Sequence, residues 1–238
     1  MRRSATETRE HVLGVAHDLF YWRGIRATGV DTIAESAGVA PTTLYRLFAS
    51  KDDLIAAYLE RADRLYRAWF TSAADTAGPD PAARILALFD ALTEQVQPRQ
   101  CRGCPFLMAL AELPDPAHAA HRTAVATKAW VHDQFGQLSN DLAEHVGVTD
   151  PDVLAAQLTL TFESVYASVQ ALGVDGPARY GRVLAETLLL AHAPTSTPPR
   201  PRTAPPPSRQ VAKRSGKTKK TGSPRPGPPT STASAVTP

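Results

Sequence analysis

Within one short stretch, Thr42, Thr43, Tyr45 and Arg46 bring together two hydroxyls, a phenol and a guanidinium. At about 100° per residue, Thr42 and Arg46 fall on the side of a helix opposite Leu44, Leu47 and Phe48, with Thr43 and Tyr45 flanking them. A helix wholly inside a core would not gather four such groups. They can bond to phosphates and base edges, while Pro41 and the threonine methyls can meet a thymine methyl. Lys51 follows in the first turn of the next helix, which opens Ser50-Lys51-Asp52-Asp53, read as a capping box. A cation there opposes the helix dipole. It is either a solvated lysine balanced by its two aspartates or part of a phosphate seat with the free N–H groups. The adjacent polar face favours the phosphate.

A second cluster is Cys101-x-x-Cys104, separated by thirteen residues from His118-x-x-His121. This approaches a zinc-finger spacing, but the histidine pair is one residue too close. The cysteines could serve as a redox switch and the histidines could share a metal. The plainer reading is that Cys104 packs as a small hydrophobe and Cys101 is incidental. That reading is taken, so neither metal nor cofactor is expected. Catalytic signatures are missing: there is no Gly-x-Ser-x-Gly elbow, zincin pair or dinucleotide glycine pattern. Gly216-Lys217-Thr218 echoes a phosphate loop, but Val211 stands where its leading glycine is required. An enzyme is not expected.

The elements that must carry these groups read as helices. Val12, Ala16, Leu19 and Phe20 recur at helical spacing before Gly24, and Ile85, Leu88, Leu92 and Val96 form a stripe closed by Pro98. Val131, Phe135, Leu138 and Leu142 give a third stripe, and Leu154, Leu158, Val165 and Val169 a fourth. Val183, Leu184, Leu188 and Ala191 give a fifth. Strand-like alternation is almost absent, so an all-α fold of roughly nine helices is expected. Thr28 and Asp31 read as a capping pair opening a short helix through Ala37. Gly38 suits the left-handed C′ position, Ala40 the N-cap and Pro41 the first position of the helix that follows. Val39 can staple onto Leu44. Two short helices about a glycine turn form a helix-turn-helix.

Residues 8–59 resemble the DNA-binding domain of the TetR family. The resemblance rests on Leu19-Phe20…Gly24, Ile33-Ala34…Ala37-Gly38-Val39 and Thr43-Leu44-Tyr45…Phe48…Ser50-Lys51…Leu54. It implies that Thr43 and Tyr45 are recognition-helix contacts and Lys51 a phosphate anchor. With Thr28, Pro41, Thr42 and Arg46 these complete the expected DNA-binding set. Ala40 departs from the Ser or Thr usual in the family, and Thr42 from a common Gly. The resemblance further implies a linking helix at 52–75, a ligand domain from about 75 to 193, and a dimer interface built from the last two helices. Arg102-Gly103-Cys104-Pro105-Phe106-Leu107…Glu112 is similar to a segment of one branch of such ligand domains. The implied partners are a double-stranded DNA operator, a small-molecule effector and a second copy of the chain. The implied activity is repression of a palindromic operator, relieved by the effector.

The linking helix shows Leu54, Tyr58, Leu65 and Trp69 on its apolar side. Phe106, Met108, Trp130, Phe135, Phe162 and Tyr166 are candidates for lining a ligand pocket. Large apolar side chains more often fill a core, so each is weighed against that reading. The boundaries expected are 1–51 for DNA binding, 52–193 for ligand binding and dimerisation, and 194–238 for a disordered tail. Nine of the 26 Lys and Arg residues lie in that Pro-rich tail and none of the 23 acids, leaving 17 basic residues against 23 acids upstream. The body is therefore acidic, and specific nucleic-acid binding must come from the small helical face. The tail either adds sequence-neutral phosphate attraction or simply solubilises. With no membrane-spanning run or signal segment, a soluble cytoplasmic protein is expected. Two alternatives stand beside the ligand-responsive repressor: a metal or redox sensor using Cys101 and Cys104, and a less specific nucleoid-associated binder using the tail.

Overall fold

A computed structural model describes residues 4–97 and 101–194. The Pro98 stop and the tail, apart from its first residue, lie outside the described residues. The elements are α1 (Ala5–Arg23), α2 (Val30–Ser36), α3 (Pro41–Leu47), α4 (Lys51–Asp75), α5 (Pro81–Gln95), α6 (Pro105–Glu112), α7 (Ala119–Val146), α8 (Pro151–Leu172), a 3₁₀ turn at Pro177–Tyr180, and α9 (Gly181–Ala191). The fold class is all-α, with nine α-helices among the described residues. Four of these helices open on proline, whose missing N–H leaves no bond unmade at a first position.

α1 carries a capping box in which the Ser4 side chain accepts from Glu7 N while Glu7 accepts from Ser4 N. α4 has half of one: Ser50 accepts from Asp53 N, but Asp53 takes the Ser50 hydroxyl proton instead of reaching the cap N–H. Aspartate is one methylene shorter than the glutamate such a box uses. α2 is not capped by Thr28 as expected. Its N-cap is Gly29, without a side-chain bond, and Thr28 donates inward to Gly24 O at 2.7 Å.

The first four apolar stripes are buried as read. Phe70 of α4, Phe89 of α5, Phe135 of α7 and Phe162 of α8 meet at the centre of the bundle. Phe162 lies 5.4–5.8 Å, ring centre to ring centre, from the other three in edge-to-face pairs. Aromatic quadrupoles favour that arrangement, and truncating one such ring costs about 3–5 kcal/mol. The fifth stripe is corrected in part, since Leu188 packs against the core while Val183, Leu184 and Ala191 are exposed. On α9 the small residues Gly181 and Ala185 face the protein, and a Cβ on Gly181 would fall 2.7 Å from Val165 Cγ2. Close approach along that small-residue side turns Val183 and Leu184 outward. On α4, Leu65 is also exposed, because the buried side runs through Leu59, Ala62, Tyr66 and Phe70.

Candidate functional site

The polar face of α3 is held from beneath. Leu44 and Phe48 are buried, and the Arg9 guanidinium of α1 stands 5.1 Å above the Phe48 ring. His11 Nε2 lies 3.0 Å from Ala37 O, tying α1 to the turn between α2 and α3. Gly38 takes φ +63° in that turn, a left-handed conformation that costs a β-carbon residue free energy. Ala40 is the N-cap without a side-chain bond, as its methyl dictates.

Pro41, Thr42, Tyr45 and Arg46 are exposed, Tyr45 by 52%. Thr43 is half-buried and shares with Arg46 a shallow hollow against Ala5 and Thr8. Among the described residues, Lys51 makes no hydrogen bond or ion pair through its side chain. Its aspartate neighbours look elsewhere, Asp53 to Ser50 and Asp52 toward His118 Nε2 at 3.6 Å. The ammonium is therefore not paired with them and remains available to an anion beside α3. Thr28 does not join this face. It is 2% exposed with its hydroxyl committed to Gly24, so its role is to seat the segment after α1.

Behind this module, the segment from Cys101 to Glu112 grips the end of α1 at two places. The Tyr21 hydroxyl donates to Gly103 O at 2.9 Å and accepts from Arg102 N at 2.6 Å and Gly103 N at 3.2 Å. Arg102 Nη1 adds a bond to Tyr21 O at 2.8 Å. Burial pushes the Tyr21 phenol up to about 12, so it stays neutral. The Glu112 carboxylate takes both Ile25 N and Arg26 N, at 3.0 and 2.8 Å. Gly24 permits that grip, since any Cβ there would stand 3.3 Å from Glu112 Oε1. The motif seen in the sequence thus joins residues more than eighty positions apart.

A cavity of about 320 Å³ lies directly behind the Tyr21 clasp, walled by α1, α4, α6 and α8. Of the expected lining residues, Phe106 and Tyr166 border it. Four do not. Phe135 and Phe162 belong to the central ring cluster. Trp130 packs on Phe70 and under Arg67, which Asp63 holds in a two-point ion pair. Met108 lies beside Gly103 outside the cavity wall. Tyr21, Tyr66, Trp69, Gln95 and His17 line it instead. Tyr21 and His17 sit on the outer flank of α1's core stripe, a position that periodicity alone marks as surface.

Cys101 is half-buried on the cavity wall, and Cys104 is buried with its thiol pushed up by burial, against the opposing pull of Lys128. His118 caps α7 through Nδ1, and His121 faces Leu113 O, so the two histidines serve separate local bonds. No group of three or more metal-ligating side chains is gathered among the described residues.

Fold and site together define a helix-turn-helix protein with a helical C-terminal domain. The family of bacterial regulatory proteins, tetR family, matches residues 12–58. A TetR-family transcriptional regulator from Streptomyces coelicolor is 32% identical, with a TM-score of 0.73 over 79% of this chain and 96% of that one. A second regulator structure, from Streptomyces avermitilis, is 33% identical, with a TM-score of 0.64 over 78% and 97% of the two chains. The HTH-type transcriptional regulator YjdC of Escherichia coli is 28% identical over 155 residues, 65% of this chain and 79% of its own. The chain belongs to the TetR family and is a DNA-binding transcriptional regulator. No helix among the described residues is long and apolar enough to cross a membrane.

Proposed function

We infer that the protein is a homodimeric repressor released from a palindromic operator when a small molecule enters the sensor domain. The observation that carries this reading is the shared wall. Tyr21 belongs to α1 of the DNA-binding module, borders the cavity and holds the 101–103 segment through its hydroxyl. A molecule filling the cavity must press on the side chain that fixes the module to the bundle. Release follows if the ligand binds the displaced arrangement more tightly than the DNA-bound one; equal affinity for both shifts nothing.

The dimer reading is supported by the outward apolar side chains of α8 and α9. Leu160 is 71% exposed, and Leu172, Val183, Leu184 and Leu190 are exposed with it. Two copies packed through this face would set two α3 helices toward successive major grooves, about 34–36 Å apart. On that geometry Thr42 and Arg46 read base edges, whereas Thr43, Tyr45 and Lys51 set position on the phosphates. Pro41 adds an apolar contact at the helix start.

The domain boundaries at 51 and 193 belong to this reading, with α4 as the rod that carries the tilt. The test is release itself. DNA selected by the purified protein is titrated with candidate effectors and followed by fluorescence anisotropy. A complex that survives saturation with every effector shown to bind would sink the induction mechanism and leave the DNA-binding regulator intact.

A further inference from the structure

Tyr66 is 6% exposed, lines the cavity, and its hydroxyl makes no hydrogen bond. The Tyr166 hydroxyl lies near it but is committed to Gln95 Oε1 at 2.6 Å. A buried phenol without a partner is destabilised relative to a satisfied one. The other hydroxyl on the wall, that of Tyr21, has one donation and two acceptances already in place. Tyr21 therefore offers the cavity its ring, and Tyr66 offers a free donor.

The rest of the wall carries no Asp, Glu, Lys or Arg side chain and is rich in aromatic rings, with Gln95 and Cys101 among its polar members. Phe106 and Tyr166 stand beside Tyr66, Trp69 packs 5.4 Å from it, and Tyr21 stacks on His17 at 5.8 Å and 11°. Burial lowers the His17 pKa, which keeps that ring neutral near pH 7. The cation near these rings, Lys128, sits 5.4–5.9 Å from Tyr66, Phe106 and Tyr166. It is bound by both oxygens of Glu163, at 2.9 and 3.0 Å. Its charge is already compensated, so an anion entering the cavity gains little from it and loses its hydration.

We propose that this cavity takes a neutral, flat aromatic molecule of about two fused rings carrying one hydrogen-bond acceptor, which the Tyr66 hydroxyl engages. The inference rests on the ligand-responsive reading above and narrows it to a ligand class. The volume suits two fused rings, the aromatic side chains of the wall suit a flat one, and the buried Tyr66 hydroxyl without a partner calls for an acceptor.

Three probes of one size separate these demands: quinoline, naphthalene and 2-naphthoate. They are titrated calorimetrically into the full chain at pH 7.5. Quinoline binds roughly ten times more tightly than naphthalene, the worth of one buried hydrogen bond, and 2-naphthoate binds least. In Tyr66→Phe, checked for an unchanged helical spectrum, quinoline and naphthalene bind alike. In Ala62→Leu, which fills part of the cavity, both weaken. Equal affinities in the unaltered chain, no binding by either neutral probe, or tightest binding by 2-naphthoate would each overturn the proposal. So would a quinoline preference that survives in Tyr66→Phe, or binding untouched by Ala62→Leu. Release of operator DNA by an anion would remove this ligand class while leaving the induction reading in place.

Discussion

α3 and α9 are both short helices fastened by a narrow buried strip, Leu44 in one and Gly181 with Ala185 in the other. Each turns an exposed side away from the protein, but in opposite chemical character. Beyond its buried strip, α3 presents Thr42, Tyr45 and Arg46, groups that water or phosphate can satisfy. α9 presents Val183, Leu184 and Leu190, which water does not satisfy. Exposed apolar patches of this kind mark protein interfaces, whereas clustered donors with a nearby free lysine mark an anionic partner. On the proposed reading, this is how one helical chain specifies two contacts: the strip that anchors a helix fixes its orientation, and the opposite side sets what it binds.

The comparison breaks most visibly at α9. Leu184→Glu places a charge on the apolar face and is expected to weaken self-association by about 2 kcal/mol or more, roughly thirtyfold. Sedimentation equilibrium measures this, and DNA affinity should fall with it. An unchanged assembly state would show that this face has another partner. On α3, Arg46→Ala is expected to cost about 1–3 kcal/mol on the preferred site and to relax selectivity at one base position. Parallel selection of bound DNA by both chains tests that. Lys51→Ala should act differently, weakening all sequences alike and reducing the salt slope by about one unit. If Lys51→Ala changes the preferred sequence instead, its assignment to phosphate is wrong.

How much of this was legible in sequence follows from the same contrast. Leu44, Leu47 and Phe48 against Thr42 and Arg46 fixed the orientation of α3 correctly, because a polar outer face and an apolar inner face give a clean helical period. On α9 the period misled. Val183, Leu184 and Leu190 point outward, Leu188 and Leu189 are half-buried, and the residues packed most closely are a glycine and an alanine, which hydropathy barely registers. Thr28 failed for a related reason: its hydroxyl can cap forward or bond back to Gly24, and only the packing at the end of α1 decides. The cavity was half legible. Phe106 and Tyr166 stood out as aromatic, but Tyr21 and His17 reach it only because the Arg102–Glu112 segment folds back against α1. The signal available was that segment itself, whose Arg102, Gly103 and Glu112 turn out to be the gripping residues.

Smaller effects sharpen the picture at the cavity. Tyr21→Phe removes three hydrogen bonds at the clasp but keeps the ring against the cavity. DNA binding should persist while the effect of a bound ligand on DNA affinity shrinks, as paired titrations with and without ligand would show. A fully retained coupling would move the route to Glu112 or α4. The smallest effect is in pH. Burial holds His17 below its ordinary pKa of 6.5 in the folded chain, with Asp18 opposing that shift and Arg61 adding to it. The unfolded chain therefore takes up the proton first as pH falls. This contribution to stability is complete above 6.5 and declines as pH drops from there toward the folded pKa. Urea unfolding at several pH values should show a shallower decline for His17→Gln, and equal slopes in both chains would contradict the placement of this ring.

On the proposed reading, two copies of α3 read DNA through the face of Thr42, Tyr45 and Arg46. Selection of DNA from a random pool by the purified full chain, followed by footprinting of the enriched sequence, tests it most directly. The account predicts an inverted repeat whose half-sites are centred about one helical turn apart, roughly 10–10.5 base pairs, with enrichment lost in Arg46→Ala. A pool that shows no sequence enrichment, or a single unpaired half-site bound with full affinity, would contradict it.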